Sequence, residues 1–598
     1  MLRFFLVFVL LVFPFSVSAQ NNVEAAKEKD EAIKEKLRQE TALLEQILVD
    51  AKNLRLPENR AFVYAKVANA LWQTDEKRAR AFFQNSISDL IAAQAEAETE
   101  KGKKEHLNNL IYGQSPRWDI LNTIAARDAE FALDALVKTR PGKIAQALLN
   151  MTGENHSPSR QYAKNEIQGE QRIIAMAVEQ SPQRAVKLLR ESLKKDVSYE
   201  TVNLLKKIHQ KDAETANQLA EEVGQKLLDT KLNEDNQDTG FIQYFLAEFG
   251  QEKTEEAAAA SLKISERLLR ELTEKIVKFT LRPNATSFYS NPTTLKIVEK
   301  YFPASAAQIK QKQTKYENQN GDYQGYNKLM NGEATSEELL SQAEKFPRSY
   351  RNEIYRRAAE KTAQSGNVAE AQKIITTNLS EEEAEGYLSQ LNYNLATQAI
   401  SQGKFNEANQ FINQIPEENM RLNSLVYLAT SIYQKAPEEN QKWAASVLDE
   451  ARTLIADAPE KTSEINSVVN VAAAYALIEP TQAFRLIESL TSPLNEYSEA
   501  AAVVAKFNDY GNFRKGEYPM SSGNNPLGVY NLTNVLQTLK GKDFDRVIRF
   551  TNGFSRLDVR VSLLIQLVDW NLSTGIGAGR SSGIIMLQGA RRGFSRIN

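Results

Sequence analysis

Ser192 and Lys195 stand three residues apart, the spacing at which a lysine takes the proton of a serine nucleophile in penicillin-binding-type enzymes. The Ser-Asp-Asn and Lys-Thr-Gly partners of that chemistry are missing, and the pair is expected on a polar helix face. Gly575, Gly577 and Gly579 form a glycine-rich run, but Arg580 stands where a dinucleotide fingerprint needs its third glycine, and no strand–helix context precedes it. No Gly-Lys-Ser/Thr phosphate loop is present. The acidic stretch Asn233 to Gly240 fails as a calcium loop. Counting back from Gly240 puts Thr239, Gln237 and Asp235 at ligand positions, and Leu246 stands where a bidentate Glu belongs. Cysteine is absent, which excludes disulfides, thiolate metal sites and a thiol nucleophile. The three histidines, His106, His156 and His209, are far apart, and His209 beside Lys206 and Lys207 reads as a surface or half-packed residue. These residues predict no catalytic, cofactor or metal site.

The stretch with binding character is Asp509 to Tyr530, which holds four of the 26 glycines in 22 residues, plus Pro519 and Pro526. Such a segment cannot continue a helix and is expected to leave the helical array as a loop. Its Tyr510, Phe513, Arg514 and Tyr518 are residue types enriched at binding hot spots, so partner contact is expected there. The competing reading is that the rings fold back onto adjacent helices. The last residues supply a second surface. Asn571 to Asn598 carries Arg580, Arg591, Arg592 and Arg596 with no acid, a tail suited to weak contact with an anionic surface.

The elements around these residues read as helices. The chain has 598 residues and a net charge of −2; 25% are charged and 42% hydrophobic, with only 26 Gly and 17 Pro. Few breakers and many helix formers predict an all-α protein, and the near-neutral charge argues against bulk nucleic-acid binding. Leu395, Ala396 and Ala399 mark one packed face, Gly403 a turn, and Phe405, Ala408, Phe411 and Ile412 the next face. The spacing recurs 37 residues earlier, with Tyr355, Ala358 and Ala359 before Gly366 and Ala371 and Ile375 after it. Phe544, Val547, Phe550, Arg560, Leu564 and Val568 form a looser third copy. A second recurrence places a short polar or acidic residue four before an alanine: Asp75/Ala79, Asp128/Ala132, Ser181/Ala185, Asp212/Ala216 and Glu479/Ala483. It predicts capped helix starts with close packing in the first turn. A charged helix before these, Val23 to Leu54, carries an apolar stripe at Ile33, Leu37, Leu44, Ile47, Leu48 and Ala51 that is expected to pack on the following repeats.

The Leu395 to Ile412 pattern and its copies resemble tetratricopeptide-like helical repeats, an α-solenoid architecture of stacked antiparallel helix pairs. The blocks Thr123 to Pro141 and Met176 to Leu193 resemble parts of exported bacterial helical proteins of unknown function. The resemblance implies architecture and brings no activity with it.

The predicted organisation is a signal peptide over 1–19, an N-terminal helical-repeat region over 20–282 and an irregular hinge region over 283–336. Tetratricopeptide-like repeats follow over 337–508, then the loop over 509–530, a C-terminal helical repeat over 531–572 and a basic flexible tail over 573–598. Arg3, the apolar run Phe4 to Phe13 and the small residues Val17-Ser18-Ala19 define the signal, with cleavage expected before Gln20 into a Gram-negative periplasm or beyond. The expected function is an exported scaffold binding proteins or peptides in the cell envelope, with no cofactor, no nucleic acid and no transmembrane span after cleavage. The rival is an exported all-α hydrolase or transglycosylase-like enzyme acting on cell-wall glycan, without a recognisable catalytic motif.

Overall fold

A computed structural model describes residues 16–99, 116–149, 158–230, 232, 236–251, 261–282, 292–318, 321–507, 513–520 and 532–568. Among them there are helices from Ser16–Ala51 to Leu557–Leu567 and no strand, only a single bridge between Arg514 and Glu517. No described helix is long and apolar enough to cross a membrane. Residues 1–15 of the expected signal segment and the expected tail over 573–598 lie outside the described residues.

The helix pairs are joined by two kinds of tight corner, both visible in the sequence. In the first kind, an extended residue precedes the second helix, alone at Ser181 and Glu479 and after two turn residues at Asp128, Asp212 and Asp543. Asp128, Ser181, Asp212, Glu479 and Asp543 all hold φ between −157° and −144° with ψ between 78° and 97°. Each donates its amide to the carbonyl four residues back and accepts from the amide four ahead. The residue four ahead is therefore buried in the first turn: Ala132, Ala185, Ala216, Ala483 and Val547 are all 0% exposed. The Asp side chains close the N-terminus as expected, on Phe131, Thr215 and Arg546 amides, while Pro182 and Pro480 supply a first helical residue with no amide to satisfy.

In the second kind, glycine ends the helix. Gly366 (φ +93°) and Gly403 (φ +73°) sit in the left-handed region, between Arg348–Gln364 and Val368–Asn378 and between Glu381–Ser401 and Phe405–Ile412. The amides of Gly403 and Lys404 bond the carbonyls of Ile400 and Ala399, and Gly366 and Asn367 do the same to Ala363 and Thr362. That is the paired closure of a Schellman end.

Successive repeats also plug one another's helix ends. Lys226 Nζ donates to the Leu193 carbonyl, Lys275 Nζ to those of Leu227 (2.9 Å) and Leu228 (2.6 Å), and Lys312 Nζ to that of Arg282 (2.7 Å). A cation against the negative end of a helix satisfies carbonyls that the helix itself cannot.

The repeats curve with their first helices inside. Pro57–Leu71, Pro116–Ala125, Pro158–Gln180 and Tyr199–His209 touch in succession, as do Glu381–Ser401, Glu418–Lys435, Thr462–Ile478, Leu532–Lys540 and Leu557–Leu567. Second helices such as Phe405–Ile412, Pro437–Arg452 and Pro480–Ser489 pack mainly on their own and the following first helix. The row in continuous contact is the one on the shorter path.

That curvature closes the chain on itself. Leu557–Leu567 packs against Ser16–Ala51 and Pro57–Leu71. At this seam Gln46 donates to Asn552 (2.6 Å), Arg560 meets Asp50 (3.3 Å), and Lys540 pairs with Glu40. Leu44, Ile47, Leu48 and Ala51 are buried in one continuous apolar core with Val559, Val561 and Leu564. The expected stripe of the N-terminal helix thus serves both the following repeat and the far end of the chain. Leu37, also in the expected stripe, is exposed. The fold is a closed ring of helix pairs, a helical-repeat solenoid whose ends meet.

Helices Pro292–Tyr301, Pro303–Asn318 and Gly321–Asn331 run through 283–336, where the composition predicts irregular structure. Aromatic packing explains the last of them. Tyr326 stacks near Phe346 (6.2 Å) and Tyr350 (4.6 Å), so a segment rich in Asn and Gly is held by ring contacts.

Candidate binding face

The four loop residues expected to touch a partner lie at the seam. Arg514–Lys515–Gly516–Glu517 is a tight turn with φ +50° at Lys515 and +83° at Gly516, closed by amide-to-carbonyl bonds of 3.0 and 2.9 Å between Arg514 and Glu517. Positive φ at both central residues is the signature of a primed hairpin turn. Arg514 is buried and pairs with buried Glu58. The Glu517 carboxylate accepts from the amides of Arg55 (2.7 Å) and Leu56 (3.1 Å) and from Asn59 Nδ2 (3.1 Å). Leu56 has no capping side chain of its own, so Glu517 caps the Pro57–Leu71 helix from across the seam. Phe513 and Tyr518 are half-buried, 4.9 Å apart, with the Arg556 guanidinium over both rings. Tyr510 lies outside the described residues. The structure therefore stacks Phe513 and Tyr518 beside Arg556 and ties Arg514 and the Tyr518 carbonyl to Glu58 and Asn59 of the molecule's own N-terminal helix.

The Ser192–Lys195 pair is positioned differently from the expected polar face. Ser192 is 0% exposed between Leu189 and Leu193, within 3.4 Å of Gln171 Nε2, and Lys195 pairs with Glu170 at 2.7 Å. The hydroxyl is committed to an inter-helix contact and the ammonium to a carboxylate, which corrects the sequence reading of where they point. His209 is half-buried; His106 and His156 lie outside the described residues. Among the described residues no cluster of His, Cys, Asp or Glu could hold a metal ion.

A band of polar and aromatic residues lies along the inner row, on the side of each first helix away from most of its buried residues; its Tyr387 and Tyr427 are half-buried, with their rings also packed on the core. On Arg348–Gln364, with Ile354, Tyr355, Ala358 and Ala359 buried, helical spacing turns Tyr350, Glu353, Arg357 and Glu360 the other way. On Glu381–Ser401 the same reasoning gives Tyr387, Gln390 and Asn394; on Glu418–Lys435, Asn423 and Tyr427; on Thr462–Ile478, Asn466 and Asn470. Side chains bridge neighbouring helices along this strip. Asn394 donates to Glu360 (3.4 Å), Asn352 to Glu383 (2.7 Å) and Asn470 to Asn423 (3.3 Å).

At one end of the strip Arg356 is clamped by Glu353 and Glu360, beside Tyr326 and Tyr387. The bond from Glu353 holds the Arg356 guanidinium charged. Burial, then the Glu353 charge, pushes the Tyr326 and Tyr387 phenols up, so both remain hydrogen-bond donors at neutral pH. This chemistry favours recognition over proton transfer: planar rings, carboxamides offering a donor and an acceptor each, and a charge-balanced Arg–Glu cluster. A second feature, an open recess of about 550 Å³ at the Gly403 corner, is lined by Phe405, Lys435, Glu439 and Trp443, with ring centroids 5.8 Å apart. Lys404 and Lys435 balance Glu407 and Glu439 there, so its charge selects no partner.

Sequence reasoning missed the strip although its signal was present. Tyr387, Gln390 and Asn394 recur at helical spacing opposite the alanines that mark the packed face.

No family model matches the chain, and no curated protein matches it. Among solved structures, one titled "Circular tandem repeat protein with novel repeat topology and enhanced subunit contact surfaces" is 13% identical over 90% of this chain and 100% of that one, with a TM-score of 0.18. A likeness at that level bears no argument; the helical-repeat class rests on the helices described above.

Proposed function

We propose that the protein is a tetratricopeptide-like helical-repeat scaffold, exported to the cell envelope, whose inner row binds an extended stretch of a protein or peptide. The observation that carries the reading is the uncharged strip of Tyr387, Gln390, Asn394, Asn423, Tyr427, Asn466 and Asn470 along consecutive first helices. A carboxamide matches the donor and acceptor pair of a peptide unit, and tyrosine offers contact area at low entropic cost. Selection from a displayed random peptide library tests it. Selected peptides are expected to bind the Tyr387→Ala/Asn394→Ala/Asn423→Ala protein at least about tenfold more weakly, from loss of about 1.4 kcal/mol or more. The melting temperature should be nearly unchanged by the Asn394 and Asn423 substitutions, which are at exposed positions, and fall somewhat with that of Tyr387, whose ring packs on the Ala359–Leu391 cluster. Equal binding by the variant, or no enrichment of any peptide, rejects the reading.

Export rests on Arg3, the apolar run Phe4 to Phe13 and the small residues before Gln20. Expression in a Gram-negative host followed by mass spectrometry of the envelope fraction should find a mature N-terminus at Gln20; a chain still beginning at Met1 contradicts it.

A further inference from the structure

The helix Thr491–Phe507 is amphipathic the wrong way round. Its inward face is anchored by one large side chain, Leu494, in the main core; its other buried residues are the small Ser498 and Ala502. Asn495 donates to the Gly553 carbonyl (2.8 Å), while Ser555 donates its amide to Asn495 (2.9 Å) and its hydroxyl to Glu499 (3.0 Å). These bonds tie the first half of the helix to the next corner. Tyr497, Ala500, Val504 and Phe507 recur at helical spacing on the other side, with Val503 beside them, and all five are exposed. Val503 and Val504 are 59% and Phe507 is 79% exposed. No other described helix carries more than two of the exposed large apolar side chains, and this one carries four. An ordinary surface helix turns such a stripe to the core.

We propose that this face binds the same face of a second copy of the protein, the two helices running antiparallel about a two-fold axis at the level of Ala502. The charges point to that occupant. Glu496 and Glu499 stand in the first half of the helix and Lys506 in the second, all exposed. Antiparallel pairing sets Glu499 of each copy beside Lys506 of the other, whereas parallel pairing sets like charges together. In that register Tyr497 meets Phe507 and Ala500 meets Val504, and each contact occurs twice, as an isologous interface requires. The exposed parts of these side chains make a patch on the order of 400 Å² per copy, a size that marks functional surface on a monomer. A standard interface buries about 800 Å² per partner, so this dimer is a transient one. The inference does not depend on the peptide-binding reading.

Sedimentation velocity of the full-length protein over roughly 1–100 µM should show a monomer–dimer equilibrium. Val504→Glu, at an exposed position, should abolish it without loss of helicity. Lys506→Glu should weaken it several-fold at low ionic strength, and adding Glu499→Lys to that variant should restore it, because the pairs are then reversed and again opposite. Absence of cysteine allows a second reading. Val503→Cys should form an intermolecular disulfide faster than Val49→Cys or Val137→Cys, residues of the same type that are 61% and 60% exposed on other helices. A monomer throughout the range overturns the proposal, as does a dimer that Val504→Glu leaves intact. A dimer lost with Val504→Glu but not recovered by the reversed charges overturns the antiparallel pairing. Equal disulfide rates at the three valine positions count against the surface.

Discussion

Arg117→Ala is expected to destabilise the N-terminal repeats by about 3–5 kcal/mol, the usual loss when one partner of a buried ion pair is removed. Arg117 and Glu166 have side chains only 5% and 0% exposed and form a two-pronged bond at 2.9 Å. Arg117 also donates to the Leu136 carbonyl (2.9 Å) and Thr139 Oγ1 (3.1 Å), and Arg140 adds a second cation to Glu166 at 2.9 Å. Removing the guanidinium leaves the buried carboxylate with Arg140 as its remaining cation and takes the side-chain donor from a helix-end carbonyl. Hydrogen exchange of the Pro116–Ala125 and Pro158–Gln180 helices measures the loss locally; a change below about 1 kcal/mol, the scale of an exposed pair, would show the cluster to be inconsequential.

The same cluster predicts an acid response. Burial alone pushes the Glu166 carboxyl up, but the Arg117 charge and the bonds from Arg117 and Arg140 more than offset it and hold it below its ordinary value of 4.5. A carboxyl lowered in the folded state binds its proton more weakly there than in the unfolded chain. Its contribution is therefore full above 4.5 and disappears as pH falls through the lowered value. In Arg117→Ala protein the part of this acid-side loss that comes from Glu166 should shrink or reverse.

Gly169→Ala is the second large effect, expected to cost about 1–3 kcal/mol or more through overpacking. A β-carbon at Gly169 would lie 2.0 Å from Cη2 and 2.2 Å from Cζ3 of Trp118. Trp118 has little room to withdraw, since the Arg117 guanidinium sits over its ring at 5.0 Å. Displacing the indole therefore disturbs the Arg117–Glu166 pair one turn away, and the two substitutions should be less than additive. Differential scanning calorimetry of the single and double variants checks both statements; Gly169→Ala melting with the wild type would mean that the ring swings aside freely.

What the sequence made legible was local. Gly366 and Gly403 were readable because only glycine takes those dihedrals cheaply, and the Asp–Ala corners because cap and packing residue are four apart. Ser192 lies off the polar face that the Ser-x-x-Lys spacing suggests, because its place between Leu189 and Leu193 on the buried face decides its surroundings. Closure of the ring could not be read at all. Glu517 caps a helix that begins some 460 positions earlier, and hydrophobic periodicity says that a face is buried without saying against what. The aromatic and arginine content of the 509–530 loop is the same whether it meets another protein or the other end of its own chain. That ambiguity is chemical, since both are desolvated contacts.

Closure also removes a standing problem of linear repeat arrays. Such arrays need terminal units with a polar outer face, because each end otherwise exposes an apolar surface built for a neighbour that is not there. Here each terminus is the other's missing neighbour: Leu44, Ile47 and Leu48 cover what Val559, Val561 and Leu564 would expose, and the reverse. The joint forms within one molecule, so its occupancy is set by the geometry of the intervening repeats and is independent of dilution. Every helix pair between the two ends thus acts as tether for a bond it does not touch, and strain introduced anywhere along the arc is felt at Glu517 and Arg514.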